Sequence, residues 1–336
     1  MLTGMRILVT GGAGYIGSHA CAALAAAGAV PVAYDNLSTG HVDAVQWGPL
    51  VRGDVRDRRA LAQALRAHEV ACAIHFAASA YVGESMQDPG KYYDNNVGGM
   101  IGLLAGCRDA GVARIVFSSS CATYGQPERL PITEDTPQRP INPYGRTKLI
   151  SEEMLRDHGA AHGLRHVSLR YFNAAGADPA GRIGERHDPE THLIPLAMRA
   201  ASGQGPALKI FGTDYDTPDG TCVRDYIHVT DLARAHVRAV EHLIAGGDSE
   251  AVNLGTGRGL SVREIVDAIA AWTGRTVPVI EAPRRAGDPP ELVADPRRAA
   301  RLWGFRAERS DIASIVADAA PWFGLAGGTA GVCEKA

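Results

Sequence analysis

Tyr144 and Lys148 form the most informative pair of reactive side chains in the sequence. They lie four residues apart in the segment Asn142-Pro143-Tyr144-Gly145-Arg146-Thr147-Lys148. On a helix, residues at i and i+4 share one face. A phenol with a pKa of about 10 is a weak base near neutrality, but a neighbouring ammonium favours the phenolate and lowers that pKa. The pair therefore predicts a catalytic base that removes a proton from an alcohol.

A glycine-rich turn near the N-terminus predicts a dinucleotide site. An apolar segment from Met5 to Thr10 runs into Gly11, Gly14 and Gly17, and an alanine-rich segment follows. In a strand–turn–helix unit these glycines permit a tight turn, a close approach of backbone N–H groups to a pyrophosphate, and close packing of helix on strand. The positive end of the helix dipole then faces the phosphates.

Asp35 ends the next apolar segment, 18 residues beyond Gly17. A carboxylate at this position can accept hydrogen bonds from the adenosine ribose and would repel a 2′-phosphate. The sequence therefore favours NAD over NADP. Ser120, at the end of the segment Arg114-Ile115-Val116-Phe117-Ser118-Ser119-Ser120, would lie at the carboxyl end of a strand, where open α/β sheets bind ligands. We interpret it as a hydrogen-bond partner for the oxygen that Tyr144 deprotonates.

Alternating strands and helices must position these residues. The pattern predicts strands at 5–10, 30–34, 49–53, 70–76, 113–119 and 166–171, which is typical of a Rossmann-like, doubly wound parallel α/β sheet. Turn-rich segments beyond residue 176 indicate a smaller, loop-rich C-terminal substrate lobe. We therefore divide the chain into a dinucleotide-binding domain at 1–175 and a lobe at 176–336, with segments within about 226–272 returning to the first domain.

Bulk composition excludes several classes of function. A net charge of −3 over 336 residues gives no electrostatic basis for binding nucleic acid or a membrane. The N-terminus lacks a signal-peptide pattern, and no apolar run is long enough to cross a bilayer. The six cysteines show neither C-x-x-C nor histidine-paired metal spacing, so we expect reduced thiols, a cytoplasmic location and no metal site.

Several further segments carry a resemblance to a known family. With the motifs above, the chain resembles the extended short-chain dehydrogenase/reductase family, and within it the UDP-glucose 4-epimerase group, over nearly its whole length. The segments that carry it are Ile74-His75-Phe76-Ala77-Ala78, Val82-Gly83-Glu84-Ser85, Tyr92-Tyr93-Asp94-Asn95-Asn96-Val97, Leu169-Arg170-Tyr171-Phe172-Asn173, Gly220-Thr221-Cys222-Val223-Arg224-Asp225-Tyr226-Ile227-His228 and Pro283-Arg284-Arg285-Ala286-Gly287-Asp288. The last three are the specific ones.

The resemblance implies NAD as cofactor and assigns residues to it. The implied contacts are Gly11, Gly14, Tyr15, Ile16, Gly17, Asp35, Asn36, Asp54, Val55, Phe76, Ala77, Ala78, Asn95, Lys148 and Tyr171. Two departures concern NAD retention: several members carry a lysine at the position of Ala80 and an Asn-Ser pair at Thr39-Gly40. Some polar contacts to NAD are therefore missing or replaced.

It also implies a UDP-sugar substrate, held in the C-terminal lobe. The implied contacts are Ser120, Tyr144, Asn173, His192, Leu193, Lys209, Phe211, Arg224, Arg285, Asp288 and Leu292. Arg224 and Arg285 are forked donors suited to a diphosphate. Leu292 stands where some members carry a tyrosine facing the hexose, so we expect room for a 2-acetamido group. Homodimers formed through helices around 88–110 and 144–160 are also implied.

The implied reaction is reversible inversion at C4 of UDP-glucose or UDP-galactose through a 4-keto sugar, with Tyr144, Lys148 and Ser120 as catalytic residues. A UDP-xylose/UDP-arabinose epimerase fits the sequence equally well, and so does a broad-range enzyme that also accepts UDP-N-acetylglucosamine. A 4,6-dehydratase is disfavoured because Cys121-Ala122-Thr123-Tyr124 lacks the acidic pair usual after the fifth strand. A non-catalytic dinucleotide sensor would not need the intact Ser120, Tyr144 and Lys148.

Overall fold

Seven parallel strands form the central sheet in a computed structural model of the chain, which describes residues 2–285 and 288–328. The strands of the described residues are β1 (Arg6–Thr10), β2 (Val30–Asp35), β3 (Leu50–Arg52), β4 (Cys72–His75), β5 (Arg114–Ser118), β6 (Arg165–Tyr171), β7 (Asn173–Ala175), β8 (Leu208–Phe211), β9 (Val223–His228), β10 (Glu250–Leu254), β11 (Gly259–Ser261), β12 (Val279–Ala282) and β13 (Glu291–Leu292). The order in the central sheet is β10-β6-β5-β4-β1-β2-β3. The predicted fold class is confirmed, and all six predicted strands are present.

Helices cover both faces of this sheet. The helices are α1 (Tyr15–Ala26), α2 (Arg58–Ala67), α3 (Val82–Gln87), α4 (Pro89–Tyr92), α5 (Gly98–Ala110), α6 (Pro143–His162), α7 (Leu193–Ser202), α8 (Val229–Ile244), α9 (Val262–Thr273), α10 (Arg297–Trp303) and α11 (Ile312–Ala319). Alternate residues of β1 point to opposite faces. Ile7 and Val9 join the core beneath α1 and α8, while Leu8 joins the core beneath α2, α5 and α6. Burial on both faces explains why these strands are almost entirely apolar.

The remaining strands form two smaller sheets. Strands β11, β9 and β13 are neighbours and β7 also pairs with β9, while β8 pairs with β12. Helices α7, α9 and α11 enclose a separate apolar core that includes Ile194, Ile265 and Ile315. Strand β10 follows β8 and β9 in the sequence but pairs with β6 in the central sheet. Among the described residues, none of the helices has the apolar length that crossing a bilayer requires.

Local signals fix the start and end of α6, which carries the Tyr144/Lys148 pair. The Asn142 side chain caps the helix by accepting a hydrogen bond of 2.8 Å from the Gly145 N–H. Pro143 occupies the first helical position, where its missing N–H costs nothing. The helix ends at Gly163, whose φ of 69° places it in the left-handed region. Tyr144 and Lys148 are therefore held on adjacent turns of one rigid element.

Candidate active site

A cavity of about 750 Å³ lies at the carboxyl ends of the parallel strands. Gly11 follows β1, Asp35 ends β2, Phe76 follows β4, Ser120 follows β5, and Tyr171 ends β6; all five line the cavity. Because the strands are parallel, their carboxyl ends meet at one edge of the sheet. Open α/β sheets bind their ligands at this edge. The cavity is therefore the candidate active site.

The glycine turn packs closely against its own surroundings because it lacks side chains. Gly11 has a φ of +72°, and a Cβ added there would lie 2.8 Å from the Ala77 backbone nitrogen. A Cβ on Gly17 would overlap the Gly11 carbonyl oxygen. Within the described residues, no side chain caps the N-terminus of α1, whereas Asp57 caps α2. The N–H groups of the first turn of α1 thus suit a pyrophosphate.

Asp35 lies in the cavity wall at the end of β2. Its side chain accepts hydrogen bonds from the backbone N–H groups of Ala13, at 3.0 Å, and Leu37, at 2.8 Å. These bonds fix a carboxylate at the cavity wall, and each oxygen retains a further lone pair for a hydroxyl. With the glycine turn, this arrangement fits a dinucleotide without a 2′-phosphate.

Lys148 lies at the base of the cavity beneath Tyr144. Its Nζ donates a hydrogen bond of 2.7 Å to the Ser118 carbonyl oxygen and lies 5.8 Å from the centre of the Tyr144 ring. Burial lowers the pKa of Lys148 to about 7, although the charge of Glu152 acts to raise it. The ammonium and the neutral amine are therefore both accessible near neutral pH.

Burial is the largest influence on the pKa of Tyr144. Burial raises the pKa of Tyr144 well above its ordinary value, and the nearby Tyr171 raises it further. The Ser120 hydroxyl acts in the opposite direction. The physical reason is desolvation, which disfavours the phenolate more than any charge near the ring favours it. The i,i+4 spacing correctly predicted the proximity of the two side chains but could not reveal their burial.

The other half of the cavity combines one arginine with a small apolar surface. Arg224, on β9, has a side chain that is 11% exposed and forms an ion pair with Asp288. It also donates a hydrogen bond of 2.8 Å to the Pro289 carbonyl oxygen. Leu292 packs beside Cys121 and Phe172 in an apolar cluster next to the cavity. Arg224 can therefore bind an anionic group of a ligand, and the apolar cluster around Leu292 can contact an uncharged group.

Most residues assigned from the resemblance line this one cavity. These are Ser120, Tyr144 and Lys148; Gly11, Gly14, Tyr15, Ile16, Gly17, Asp35, Asn36, Val55, Phe76, Ala77, Ala78, Asn95 and Tyr171; and Asn173, His192, Arg224, Asp288 and Leu292.

Five assigned residues do not line it. Asp54 accepts hydrogen bonds from Arg56, and Leu193 packs against the core of the smaller lobe. Lys209 is exposed on β8. On the same strand the Phe211 ring lies 4.0 Å from the Arg285 guanidinium, a cation–π contact outside the cavity. Ala286 and Gly287, part of the same matched segment, lie outside the described residues.

Several cavity residues carry no sequence signal of the kind used above. Arg56 and Lys91 add cations to the wall, Glu84 pairs with Lys91 at 2.6 Å, and Glu185 and His187 border the site. Apart from Glu84, which is part of the matched segment Val82-Gly83-Glu84-Ser85, none of them belongs to a matched segment, because each reaches the cavity through the packing of segments far apart in the sequence. Their common location at the cavity is visible only in the folded chain.

A comparison with protein-family models shows which family the chain belongs to. Residues 7–255 match the model of the NAD dependent epimerase/dehydratase family. The chain belongs to this family. Members are expected to bind NAD, and the glycine turn, Asp35 and the base of the cavity fit that cofactor. The match covers the central sheet from β1 to β10.

Characterised family members resemble the chain over nearly its full length. The UDP-glucose 4-epimerase of Rhizobium meliloti is 56% identical over 317 residues, covering 94% of this chain and 96% of that protein. The crystal structure of UDP-glucose 4-epimerase from Brucella ovis in complex with NAD has a TM-score of 0.94 and 60% identity, covering 96% of this chain and 99% of the other. A UDP-glucose 4-epimerase from Stenotrophomonas maltophila, with bound NAD and formylated UDP-arabinopyranose, has a TM-score of 0.92 and 41% identity, covering 95% and 98%.

Proposed function

We propose that this protein is an NAD-dependent UDP-glucose 4-epimerase, an isomerase that interconverts UDP-glucose and UDP-galactose by inversion at C4. The observation that carries the proposal is the convergence of Tyr144, Lys148 and Ser120 in the cavity that also contains the glycine turn and Asp35. A base beside a dinucleotide site suits the oxidation of an alcohol. High identity to UDP-glucose 4-epimerases over almost the entire chain supports the substrate.

Each catalytic residue has a distinct task. Tyr144 removes the proton from the C4 hydroxyl and returns it after inversion. Lys148 holds a positive charge beneath the phenol, and Ser120 donates a hydrogen bond to the C4 oxygen in the 4-keto sugar. When bound, NAD would supply the hydride acceptor in its oxidised form and the hydride donor in its reduced form, and its positively charged oxidised ring would favour the phenolate.

The two halves of the substrate site explain how one sugar face replaces the other. Both terminal nitrogens of Arg224 donate hydrogen bonds to Asp288 or to the Val223, Pro289 and Pro290 carbonyl oxygens, which leaves its Nε–H and its positive charge for the diphosphate. Asn173 and His192 also line this region. The sugar region is bordered by Cys121, Ala122 and other apolar side chains, which form few hydrogen bonds with a hexose. The nucleotide stays anchored while the hexose turns over and presents its other face.

The same cavity argues against dehydration. Elimination across C5–C6 requires a carboxylate base and an acid near the sugar. Among the described residues that follow β5, the cavity wall contains Ser118, Ser120, Cys121 and Ala122, and none of these is acidic. A UDP-pentose epimerase is an alternative, because the Stenotrophomonas maltophila structure contains a UDP-arabinopyranose derivative. The assay below therefore includes a UDP-pentose.

We also propose a cytoplasmic homodimer that assembles through the faces of α3 to α6. Met86, on α3, is 58% exposed and Ile101, on α5, is 56% exposed, which gives these helices an apolar outer surface. The five described cysteines are free and buried, as is usual in a reducing compartment; Cys333 lies outside the described residues. Light scattering on wild type and on Ile101→Glu tests the dimer.

Tyr144→Phe tests the proposed function. Purified enzyme is incubated with UDP-glucose, UDP-galactose, UDP-xylose and UDP-N-acetylglucosamine, with and without added NAD+. We expect Tyr144→Phe to lose about 10²–10⁴-fold in turnover of UDP-galactose, because a positioned base contributes that much. Tyr93→Phe, which changes an exposed tyrosine away from the cavity, is the control and should keep full activity.

An isotope experiment tests the absence of net oxidation. UDP-galactose labelled with deuterium at C4 should give UDP-glucose that retains the label, since the hydride leaves and returns within one enzyme. Loss of the label to solvent, or near-normal activity of Tyr144→Phe, would contradict the mechanism.

A further inference from the structure

Two glutamates and two histidines converge at the rim of the cavity, in the segment between β7 and α7. They are Glu185, His187, Glu190 and His192, which we call the rim cluster. One ligand atom of each residue lies within 4.8 Å of the corresponding atom of every other, and in the described part of the chain no second group of metal-ligating side chains meets this condition. The expectation of no metal site considered only cysteine and histidine spacing and gave no weight to these carboxylates.

Four distances within the rim cluster, which involve both oxygens of Glu190, lie close to those between the ligands of a tetrahedral metal site. His187 Nδ1 lies 3.3 Å from a Glu185 oxygen and 3.5 Å from a Glu190 oxygen. His192 Nδ1 lies 3.0 Å from an oxygen of each glutamate. Zinc binds nitrogen and oxygen ligands at about 2.0–2.2 Å, so neighbouring ligands of a tetrahedral site are separated by about 3.3–3.5 Å. Little movement is needed to place a cation between the four atoms.

Two buried polar atoms of the rim cluster are left without hydrogen-bond partners. Glu190 Oε1 accepts hydrogen bonds from the backbone N–H groups of Thr191, at 2.8 Å, and His192, at 2.9 Å. Glu190 Oε2 has no hydrogen-bond partner although its side chain is only 1% exposed, and His187 Nδ1 also has none. A buried carboxylate oxygen without a partner is costly. Both atoms face the centre of the rim cluster, where a cation would satisfy them.

We propose that the rim cluster binds one divalent first-row transition cation, with Zn²⁺ as the best match. Imidazole nitrogens with carboxylate oxygens suit Zn²⁺ and similar ions, whereas Mg²⁺ prefers oxygen ligands in octahedral geometry. Four protein ligands leave no open position, so the ion is structural. Because Glu185, His187 and His192 also line the cavity, the ion fixes the segment that borders the substrate diphosphate.

The competing description is a cation-free cluster in which two protonated imidazoles face two carboxylates. Zinc binding to the full-length chain, without a polyhistidine tag, separates the two. The protein is stripped with a chelator, its fold is checked by circular dichroism, and ZnCl₂ is titrated by calorimetry. We expect one Zn²⁺ per chain, retained through gel filtration and measured by mass spectrometry of the metal, with no displacement by Mg²⁺.

Matched variants assign the ligands. Glu190→Gln and His187→Gln should each weaken zinc binding by at least about tenfold, the lower end of the effect of disturbing a metal site. Asp188→Asn removes an exposed carboxylate of the same loop and should bind zinc like wild type. Using two ligand variants keeps the test decisive if one of them does not fold.

Two outcomes would overturn the proposal. The first is folded wild-type protein that takes up no zinc above background, which would favour the ion-pair cluster. The second is equal zinc binding by wild type, Glu190→Gln and His187→Gln, which would place the ion elsewhere. Because metal uptake is measured without substrate, neither outcome depends on whether the epimerase assignment is right.

Discussion

Replacing Lys148 by methionine should abolish activity and stabilise the folded chain. Burial lowers the pKa of Lys148 from an ordinary 10.5 to about 7. One pKa unit corresponds to about 1.4 kcal/mol, so keeping this ammonium in the interior costs about 5 kcal/mol of folding free energy at pH 6. Methionine has a similar length and removes that cost. It also leaves the Ser118 carbonyl without its donor, which costs about 1–3 kcal/mol.

The sign of the pH dependence follows from proton linkage. Below pH 7 the folded and unfolded chains both carry the ammonium, so the full cost applies. Between pH 7 and pH 10.5 the unfolded chain keeps its proton while the folded chain loses it, and the stability of the wild type therefore rises with pH. The advantage of Lys148→Met should be about 2–4 kcal/mol at pH 6 and about 3 kcal/mol smaller at pH 9.

Thermal unfolding of nucleotide-free protein measures this difference. A chain of this length has an unfolding entropy of about 0.7 kcal/mol per kelvin, so the gap in Tm between variant and wild type should shrink by about 4 °C from pH 6 to pH 9. Lys209→Met, at an exposed position on β8, is the matched control and should leave Tm nearly unchanged at both pH values. A gap that is the same at pH 6 and pH 9 would refute the reasoning, because Lys148 would then keep an ordinary pKa.

Three further predictions address the core, the cofactor and the substrate. Glu152 and Arg170 form a buried ion pair, with side chains that are 2% and 4% exposed. Glu152→Gln removes the negative partner and should lower the free energy of unfolding, measured by urea titration, by about 3–5 kcal/mol. The exposed control Glu128→Gln should lower it by less than about 1 kcal/mol. Nucleotide-free enzyme should be activated by NAD+ and not by NADP+, because Asp35 would face the 2′-phosphate; equal activation by both would show that Asp35 does not select the cofactor. In a chromatographic assay, wild type should epimerise UDP-N-acetylglucosamine as well as UDP-glucose, and Leu292→Tyr should suppress only the reaction of the acetamido sugar. If wild type does not turn over the acetamido sugar, another part of the cavity wall closes the pocket.

The sequence predicted those parts of the site that are encoded in contiguous residues. Tyr144 and Lys148 share a helix, and Gly11 to Gly17 form one turn, so local spacing determines their geometry. The burial of Tyr144, which raises the pKa of its phenol, could not be predicted from spacing because it comes from elements distant in sequence. Arg285 and Phe211 were both assigned to the substrate through their matched segments, and the structure shows that the Arg285 guanidinium stacks on the Phe211 ring. Spacing does not encode such long-range contacts.

The strand order explains why two motifs so far apart in sequence make one site. Strand β4 lies between β1 and β5 in the central sheet, so the glycine turn after β1 and Ser120 after β5 are separated by two strand spacings, about 10 Å. The segment after β4 fills this gap, and Ala77 lies so close to Gly11 that no side chain could be added there. The α6 helix then returns Tyr144 and Lys148 to Ser118, through the hydrogen bond of 2.7 Å from Lys148. A dinucleotide whose phosphates bind at β1 must therefore extend across β4 to reach the base, and substitutions that enlarge Ala77 should weaken NAD binding without altering the base itself.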